Sequence, residues 1–220
     1  MAEADVPTGG GAGRGWFITL EGGEGAGKTT QLCSLANALG ETGCEVVTTR
    51  EPGGSPGAER VRSVLIDPEA ALTPLCEAML HAGARHDHLT NTIRPALARG
   101  ACVLCDRFTD STRAYQGFGL GLAESTVDTL EELVVAETMP DLTLILDVPV
   151  DVGLERARGR GIHDRYEAMA FAFHEHLRAG YRAIAARAPA RCAVVDANRP
   201  AEVVQTDVRR IVRERLGIAL

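Results

Sequence analysis

The chain has 220 residues, an apolar fraction of 45% and a formal net charge of −7. This length and composition suit one α/β domain with a full core, and the negative charge argues against general nucleic-acid binding, because phosphate backbones need a basic surface. No apolar stretch approaches the roughly 18–20 residues of a membrane span. We therefore expect neither a nucleic acid nor a membrane as partner.

Residues 1–14 lack the basic and then apolar layout of a signal peptide. We interpret them as a flexible tail before a single domain over residues 15–220. The six cysteines lie scattered in apolar stretches, without a second pair at zinc spacing beside Cys102 and Cys105. This pattern predicts buried structural thiols and a reducing, cytoplasmic location.

The first predicted strand, Trp16–Leu20, leads into a glycine-rich turn and then a helix. The turn, Gly22–Thr29, matches the G-x-x-x-x-G-K-[ST] pattern of a phosphate-binding P-loop. The apolar positions of the helix recur at Leu32, Leu35, Ala36 and Leu39, and Gly40 and Gly43 are expected to end it. Lys28 is the only lysine among 23 basic residues, which indicates a position that needs a compact ammonium rather than a planar guanidinium.

Backbone amides of a P-loop, together with the N-terminus of the next helix, hold phosphate groups. The predicted ATP contacts are Gly22, Gly23, Gly25, Ala26, Gly27, Lys28, Thr29 and Thr30. Lys28 would reach the β- and γ-phosphates of ATP. Thr29 would ligate Mg²⁺ beside Asp106, an acid that follows an apolar run as a Walker-B carboxylate does.

Four further apolar runs are predicted to be strands: Glu45–Thr49, Ala101–Cys105, Leu142–Val148 and Cys192–Asp196. Helical stretches separate them, which predicts an α/β fold with a five-stranded parallel sheet and helices on both faces. Functional residues of such sheets gather at the carboxyl ends of the strands. Arg50 and Arg107 follow two of these ends, so they are candidates for binding the phosphate of an acceptor.

A helix is expected to begin after Thr73, which suits an N-cap, with Pro74 in its first turn. Its predicted core side carries Leu75, Met79, Ala82, Leu89 and Ile93. A separate polar stripe carries His81, Arg85 and His88. The stripe could face solvent or form a pocket wall, and periodicity does not decide between these alternatives.

The charged segment Glu155–Gly161 contains two glycines and predicts a mobile flap. Its arginines, Arg156, Arg158 and Arg160, could supply positive charge to a phosphoryl group in transfer, as an arginine finger does. The alternative is a polar helix face.

Several segments together resemble thymidylate kinase: Glu21–Thr30, Thr49–Gly54, Asp106–Gly117, Arg156–Arg160 and Asp164-Arg165. The resemblance implies the P-loop nucleoside monophosphate kinase fold, with a lid at about residues 153–165. It also implies transfer of the ATP γ-phosphate to dTMP, with Mg²⁺, to give dTDP for dTTP synthesis. ATP and dTMP would be the small-molecule partners, and the protein would be a homodimer.

The same resemblance implies a role for each matching position of the acceptor site. Glu24 would approach the sugar 3′-OH, while Arg50 and Arg107 would hold the 5′-phosphate. Tyr115 would fill the space that a ribose 2′-OH needs. The catalytic set would be Lys28, Glu24, Arg107, Arg156, Arg158 and Arg160.

At the base end, the resemblance implies that Arg85 hydrogen-bonds the thymine carbonyl and that Thr112 and Gln116 serve the base edge. Pro52 and Ser111 complete the implied dTMP site. His81 stands where the family usually has a stacking Phe, and we expect its flat ring to stack on the base. Gly25 occupies the variable P-loop position, which implies the bacterial arrangement, with the catalytic arginine in the lid.

Two other functions stay open on the sequence alone. One is a kinase for a different pyrimidine monophosphate, which His81 supports. The other is a P-loop regulatory ATPase, which would have no need of Arg50, Tyr115 or the lid arginines.

Overall fold

The computed structural model describes residues 13–159, 166 and 168–220. Most of the predicted tail, residues 1–12, and the predicted lid residues 160–165 lie outside this part of the chain. The strands are β1 (Phe17–Glu21), β2 (Val46–Arg50), β3 (Cys102–Asp106), β4 (Leu142–Asp147) and β5 (Cys192–Asp196).

These strands form one parallel sheet in the order β2-β3-β1-β4-β5. The predicted five-stranded parallel sheet is therefore confirmed, with boundaries within about one residue of those expected. The central strand β1 pairs with β3 and β4, and Leu20 lies opposite Asp106 and Leu144. This register brings the end of β1 level with the end of β3, so the P-loop begins beside Asp106.

The helices are α1 (Lys28–Glu41), α2 (Pro56–Leu65), α3 (Pro74–His88), α4 (Arg94–Ala98), α5 (Thr109–Thr112), α6 (Glu124–Val134), α7 (Val150–Arg158), α8 (Phe171–Arg187) and α9 (Ala201–Leu216). Two π-helical segments, Leu89–Ile93 and Arg113–Gly119, continue α3 and α5. Helix α1 runs one residue beyond Gly40, so that glycine lies inside its last turn rather than ending it. Within the described residues we find no helix whose length and apolar content would allow it to span a bilayer.

Alternation along β1 sends its side chains to two different cores, because successive strand residues point to opposite faces. Ile18 packs on one face in a cluster that includes Leu35 of α1 and Val212 of α9. Phe17 packs on the other face with Ala82 of α3. That second face continues under α8, whose Leu177 packs in a cluster with Ile145 of β4. Helices therefore cover both faces, and Thr19 and Glu21 of β1 are fully buried.

Helix α3 corrects part of the predicted core side. Thr73 caps the helix as expected, since its hydroxyl accepts a hydrogen bond from the Cys76 N–H. Leu75 and Met79, however, are 46% and 57% exposed, so their predicted burial was wrong. Polar residues of α3 are buried in their place: Glu77, Arg85 and His88. These side chains have polar partners on other elements, which lowers the cost of burying them.

The cysteines also depart from expectation. Cys102, Cys105 and Cys192 are buried, but Cys33 and Cys76 are exposed. Burial raises the pKa of Cys102 to about 12 and that of Cys192 to about 11. Only the cysteines of the sheet are therefore the buried structural thiols that the sequence predicts. Cys33 of α1 and Cys76 of α3 lie on the solvent-exposed sides of their helices.

Candidate active site

The P-loop lies between the end of β1 and the start of α1, where it is packed against the backbone of α7. A Cβ placed on Gly25, whose φ is +65°, would lie 1.9 Å from the Gly153 carbonyl oxygen. A side chain at this position would clash with backbone that cannot move out of the way. An arginine at this P-loop position is therefore incompatible with the packing.

Lys28 is the first residue of α1, and its side chain folds back over the loop. Its Nζ donates hydrogen bonds to the carbonyl oxygens of Gly22, at 3.2 Å, and Gly23, at 2.9 Å. Burial, and then the nearby Arg107 charge, lower the pKa of Lys28 to about 8. The ammonium is thus held inside the loop, close to the position expected for phosphates.

Thr29 and Asp106 meet at the edge of the same loop. The Thr29 hydroxyl donates to Asp106 Oδ2 at 3.0 Å, and both residues line the cleft. A hydroxyl and a carboxylate are hard oxygen ligands, and Mg²⁺ in nucleotide sites commonly takes only one or two protein ligands of this kind. The pair therefore fits the metal position predicted from the sequence.

Arg107 joins the P-loop to the acceptor side of the cleft. Its φ of 73° lies in the left-handed region, which is uncommon outside glycine and is found where the surrounding structure enforces it. The guanidinium donates to the Gly22 carbonyl at 2.9 Å and to Glu24 Oε1 at 2.9 Å. The Tyr115 hydroxyl donates to the same Glu24 oxygen, and its ring lies 4.9 Å from the Arg107 guanidinium carbon.

A buried carboxyl group supports this cluster from below. Glu21 Oε1 accepts the Phe108 N–H at 2.8 Å, and its Oε2 accepts the hydroxyls of Ser111 at 2.6 Å and Tyr181 at 3.2 Å. Burial, and then the charge of Asp110, raise the pKa of Glu21 to about 7. Sequence reasoning did not single out Tyr181, because it lies on α8, far along the chain from the P-loop.

Arg50 lies at the end of β2 on the outer side of the cleft. Its side chain is 55% exposed and bonds both carboxylate oxygens of Glu59, at 3.0 and 3.1 Å. A hydrogen bond from the Gly54 N–H lowers the pKa of Glu59, with Arg50 as a further cause. Pro52, the next predicted contact, lines the same cleft.

At the far end of the cleft, Arg85 is held by two partners. Its Nε donates to Glu51 Oε2 at 2.7 Å, and its Nη2 donates to Thr112 Oγ1 at 3.0 Å. His88 shares a hydrogen bond of 3.1 Å with Glu51 Oε1 and another of 2.7 Å with Thr49. The polar stripe of α3 is thus partly a pocket wall, as one of the two alternatives predicted. Glu51 and Thr49 were not predicted to take part.

The structure brings all ten residues predicted for the acceptor site into one cleft. Its walls include Glu24, Lys28, Thr29, Arg50, Pro52, His81, Arg85, Asp106, Arg107, Ser111, Thr112, Tyr115 and Gln116. Arg85, Thr112, Tyr115 and Gln116 are nearly fully buried in the wall of the cleft. Phe108, which also lines it, is fully buried. The cleft therefore runs continuously from the P-loop to a buried polar end.

The predicted lid arginines are only partly described. Arg156 and Arg158 belong to the last turn of α7 and are exposed. Up to Arg158, the segment therefore forms the polar helix face that was the alternative to a mobile flap. Arg156 donates to the Ala197 carbonyl at 3.0 Å. Neither residue lines the cleft, and Arg160 lies outside the described residues.

The sheet order, the P-loop on its central strand and the adjoining cleft define a P-loop kinase of the nucleoside monophosphate kinase type. A family model described as thymidylate kinase matches residues 20–208. The chain belongs to the thymidylate kinase family.

Individual relatives agree along nearly the whole chain. A thymidylate kinase of Caulobacter vibrioides is 52% identical over 93% of this chain and 99% of its own length. One from Bradyrhizobium sp. strain ORS 278 is 49% identical over 100% of this chain and 98% of its own. The crystal structure of thymidylate kinase from Ehrlichia chaffeensis superposes with a TM-score of 0.75, at 34% identity, over 90% of this chain and 99% of that one. None of these similarities favours the other pyrimidine kinase or the regulatory ATPase.

Proposed function

We propose that the chain is a dTMP kinase, which transfers the γ-phosphate of ATP to dTMP and yields ADP and dTDP. The observation that carries the proposal is the ion pair between Arg107 and Glu24, at 2.9 Å, directly beside Lys28. It joins a donor phosphate site and an acceptor site in one cleft. A regulatory ATPase has no use for such an acceptor site.

The acceptor phosphate would be held by Arg107 and Arg50. Arg107 would need little movement, because the Gly22 carbonyl and Glu24 already fix its guanidinium. Arg50 would exchange its exposed pairing with Glu59 for the phosphate, and this exchange costs little because exposed ion pairs are weak. The acceptor phosphate is already an anion, so catalysis requires positioning and charge neutralisation rather than a strong base.

The sugar would lie between Glu24 and Tyr115. Glu24 presents a carboxylate oxygen that could accept a hydrogen bond from the 3′-OH, as the resemblance implies. The buried Tyr115 ring packs against Arg107 and donates its hydroxyl to Glu24, so it is held on two sides. A fixed ring would exclude a ribose 2′-OH and favour deoxynucleotides.

Thr29 and Asp106 would hold Mg²⁺ with the phosphates of ATP. The metal would neutralise charge on the β- and γ-phosphates. The structure supports this assignment through the 3.0 Å contact between the two oxygen ligands. The remaining ligands would come from nucleotide oxygens and water.

The lid arginines would close over ATP from the end of α7. Arg156 donates a hydrogen bond to the Ala197 carbonyl in the loop after β5. Arg158 is exposed on the same turn and is available to a nucleotide. The packing at Gly25 supports this division of labour, because no arginine fits there.

The proposal extends to assembly and location. We assign the protein to the cytoplasm, where its donor ATP is abundant, and to a homodimer. The exposed apolar residues Leu75 and Met79 on α3, with Leu133 on α6, support a surface that a second copy covers. Sedimentation velocity would test this assembly, since a concentration-independent monomer would contradict it.

The function is tested by ADP release in the presence of Mg²⁺ and a panel of monophosphates. We expect dTMP to stimulate release far more than dCMP or UMP, and Lys28→Ala to abolish the stimulation. Best turnover with dCMP or UMP would indicate the other pyrimidine kinase. Release that no monophosphate stimulates would indicate an ATPase.

A further inference from the structure

Glu77 is a buried carboxylate for which the reaction above gives no role. It lies on α3 with only 2% of its surface exposed. Neither a phosphate nor the sugar is expected at this end of the cleft, which Arg85, Thr112 and Gln116 surround. Burying a carboxylate is costly unless its hydrogen bonds are supplied, so its partners indicate what it does.

Two of those partners are Gln116 and Tyr166. The Gln116 amide nitrogen donates to Glu77 Oε1 at 2.9 Å, and the Tyr166 hydroxyl donates to the same oxygen. The Tyr166 oxygen also accepts a hydrogen bond of 3.2 Å from the Gln116 nitrogen. The Gln116 amide nitrogen is thus directed at two acceptors, Glu77 Oε1 and the Tyr166 oxygen.

This arrangement fixes the rotation of the amide group. A carboxylate only accepts hydrogen bonds, and Tyr166 uses its proton on Glu77. If the amide turned over, Gln116 Oε1 would face the carboxylate oxygen without a proton between them. In a site where Gln116 is 1% exposed, that repulsion is strong.

The opposite end of the amide is therefore an oxygen with a fixed direction. Gln116 lines the cleft, and within the described part of the chain we find no donor to its Oε1. One turn earlier, Thr112 accepts a hydrogen bond from Arg85 Nη2. The base end of the cleft thus places a donor, Arg85, close to an acceptor, Gln116.

A donor beside an acceptor matches one kind of pyrimidine edge. Thymine and uracil present a carbonyl oxygen at C4 and an N–H at N3, which complement this pair. Cytosine presents an amino group and an unprotonated nitrogen, so it opposes both members of the pair.

We infer that Glu77 is a specificity-determining positioning residue, which locks the Gln116 amide so that its oxygen selects bases with a proton on N3. The inference rests on the proposed function, because it takes a pyrimidine monophosphate as the acceptor. Glu77 does not touch the substrate and acts only through Gln116. Tyr166 helps to fix the Gln116 amide, because its oxygen is the second acceptor for the amide nitrogen.

The test is Glu77→Gln, which keeps the shape but offers an amide that can both donate and accept. Gln116 could then adopt either orientation. We expect the ratio of kcat/KM for dTMP to that for dCMP to fall by about tenfold or more, since sites that lose a matched buried hydrogen bond lose discrimination on this scale. The efficiency with dCMP should rise in absolute terms, an effect that general loosening of the fold does not produce.

Two further variants complete the experiment. Glu131→Gln is the matched control, because Glu131 accepts a hydrogen bond from Thr109 of α5 but does not contact Gln116. The ratio of kcat/KM values for dTMP and dCMP in this variant should equal that of wild type. Tyr166→Phe removes one acceptor for the amide and should lower the ratio by a smaller factor, which provides a reading even if Glu77→Gln does not fold.

An unchanged ratio of kcat/KM values in folded Glu77→Gln and in Tyr166→Phe would overturn the inference, even if the efficiencies with both substrates fell by the same factor. If wild type uses dTMP and the ratio does not move, only this inference fails. If wild type does not use dTMP at all, the proposed function fails and this inference fails with it.

Discussion

The hydroxyl of Tyr181 lies 3.2 Å from Nη1 of Arg107, which links α8 to the guanidinium assigned to the acceptor phosphate. The same hydroxyl lies 2.9 Å from Ser111 Oγ and 3.2 Å from Glu21 Oε2. Tyr181 is buried, so this contact is shielded from water. Helix α8 therefore contacts the guanidinium that we propose holds the acceptor phosphate.

Tyr181→Phe should weaken acceptor binding while sparing the donor site. Loss of one hydrogen bond to a charged group is expected to raise KM for dTMP by roughly tenfold to a hundredfold, with KM for ATP nearly unchanged. Steady-state kinetics with each substrate varied in turn would measure this split. Thr19→Val is the control, because it also removes a buried hydroxyl but one bonded to Thr143 rather than to Arg107. Equal changes in both KM values would contradict the assignment.

Lys28 should impose a pH dependence on the use of ATP. Its pKa is lowered to about 8 by burial, so the free enzyme loses this positive charge as pH rises through that value and regains it as pH falls. We expect kcat/KM for ATP to fall about tenfold per pH unit above pH 8, because this parameter reports ionisations of the free enzyme. Lys28→Arg should remove the alkaline fall but keep very low activity, since a guanidinium does not fit the loop. A flat wild-type profile up to pH 10 would contradict this role.

Gly25→Ala should damage the P-loop through packing. The added Cβ would lie 1.9 Å from the Gly153 carbonyl oxygen at a φ of +65°, so both the clash and the backbone conformation oppose it. We expect a loss of about 2 kcal/mol or more in the free energy of unfolding, together with loss of turnover. Gly23→Ala is the matched comparison, because a Cβ there meets nothing within 4 Å. Thermal denaturation of both variants would show equal stability if the packing argument is wrong.

His81 provides a test of base stacking. The residue lines the cleft on the same helix as Arg85 and is half-buried. His81→Ala should raise KM for dTMP severalfold, since base stacking on flat side chains is worth about 1–3 kcal/mol. His81→Phe should lower KM by restoring a larger apolar ring. An unchanged KM in His81→Ala would rule out the stacking hypothesis.

The sheet and the P-loop were predictable because their signals are local. An apolar run followed by a glycine-rich loop and a lysine specifies strand, turn and helix within about 25 residues, and the observed β1 and α1 follow that order. Parallel pairing then places Asp106 beside Thr29, although the two are far apart in sequence. Periodicity failed on α3, because a helix that walls a polar cleft buries charged residues such as Glu77 and Arg85.

The supporting residues of the site gave no such signal. Tyr181 contacts Arg107 from 74 positions away, and Glu77 contacts Gln116 from 39 positions away. Each is a single polar residue on an ordinary helical pattern, and only the fold brings it to its partner. The sequence therefore indicated the candidate residues that line the cleft, but not the contacts of Tyr181 or Glu77, because those contacts depend on the fold.

The central claim is that this chain moves a phosphoryl group from ATP to dTMP, and following the label of γ-³²P-ATP tests it most directly. After incubation with Mg²⁺ and dTMP, chromatographic separation should show the label in dTDP in amounts that match the ADP formed. Label found only as inorganic phosphate, or none transferred while ATP is consumed, would contradict the account.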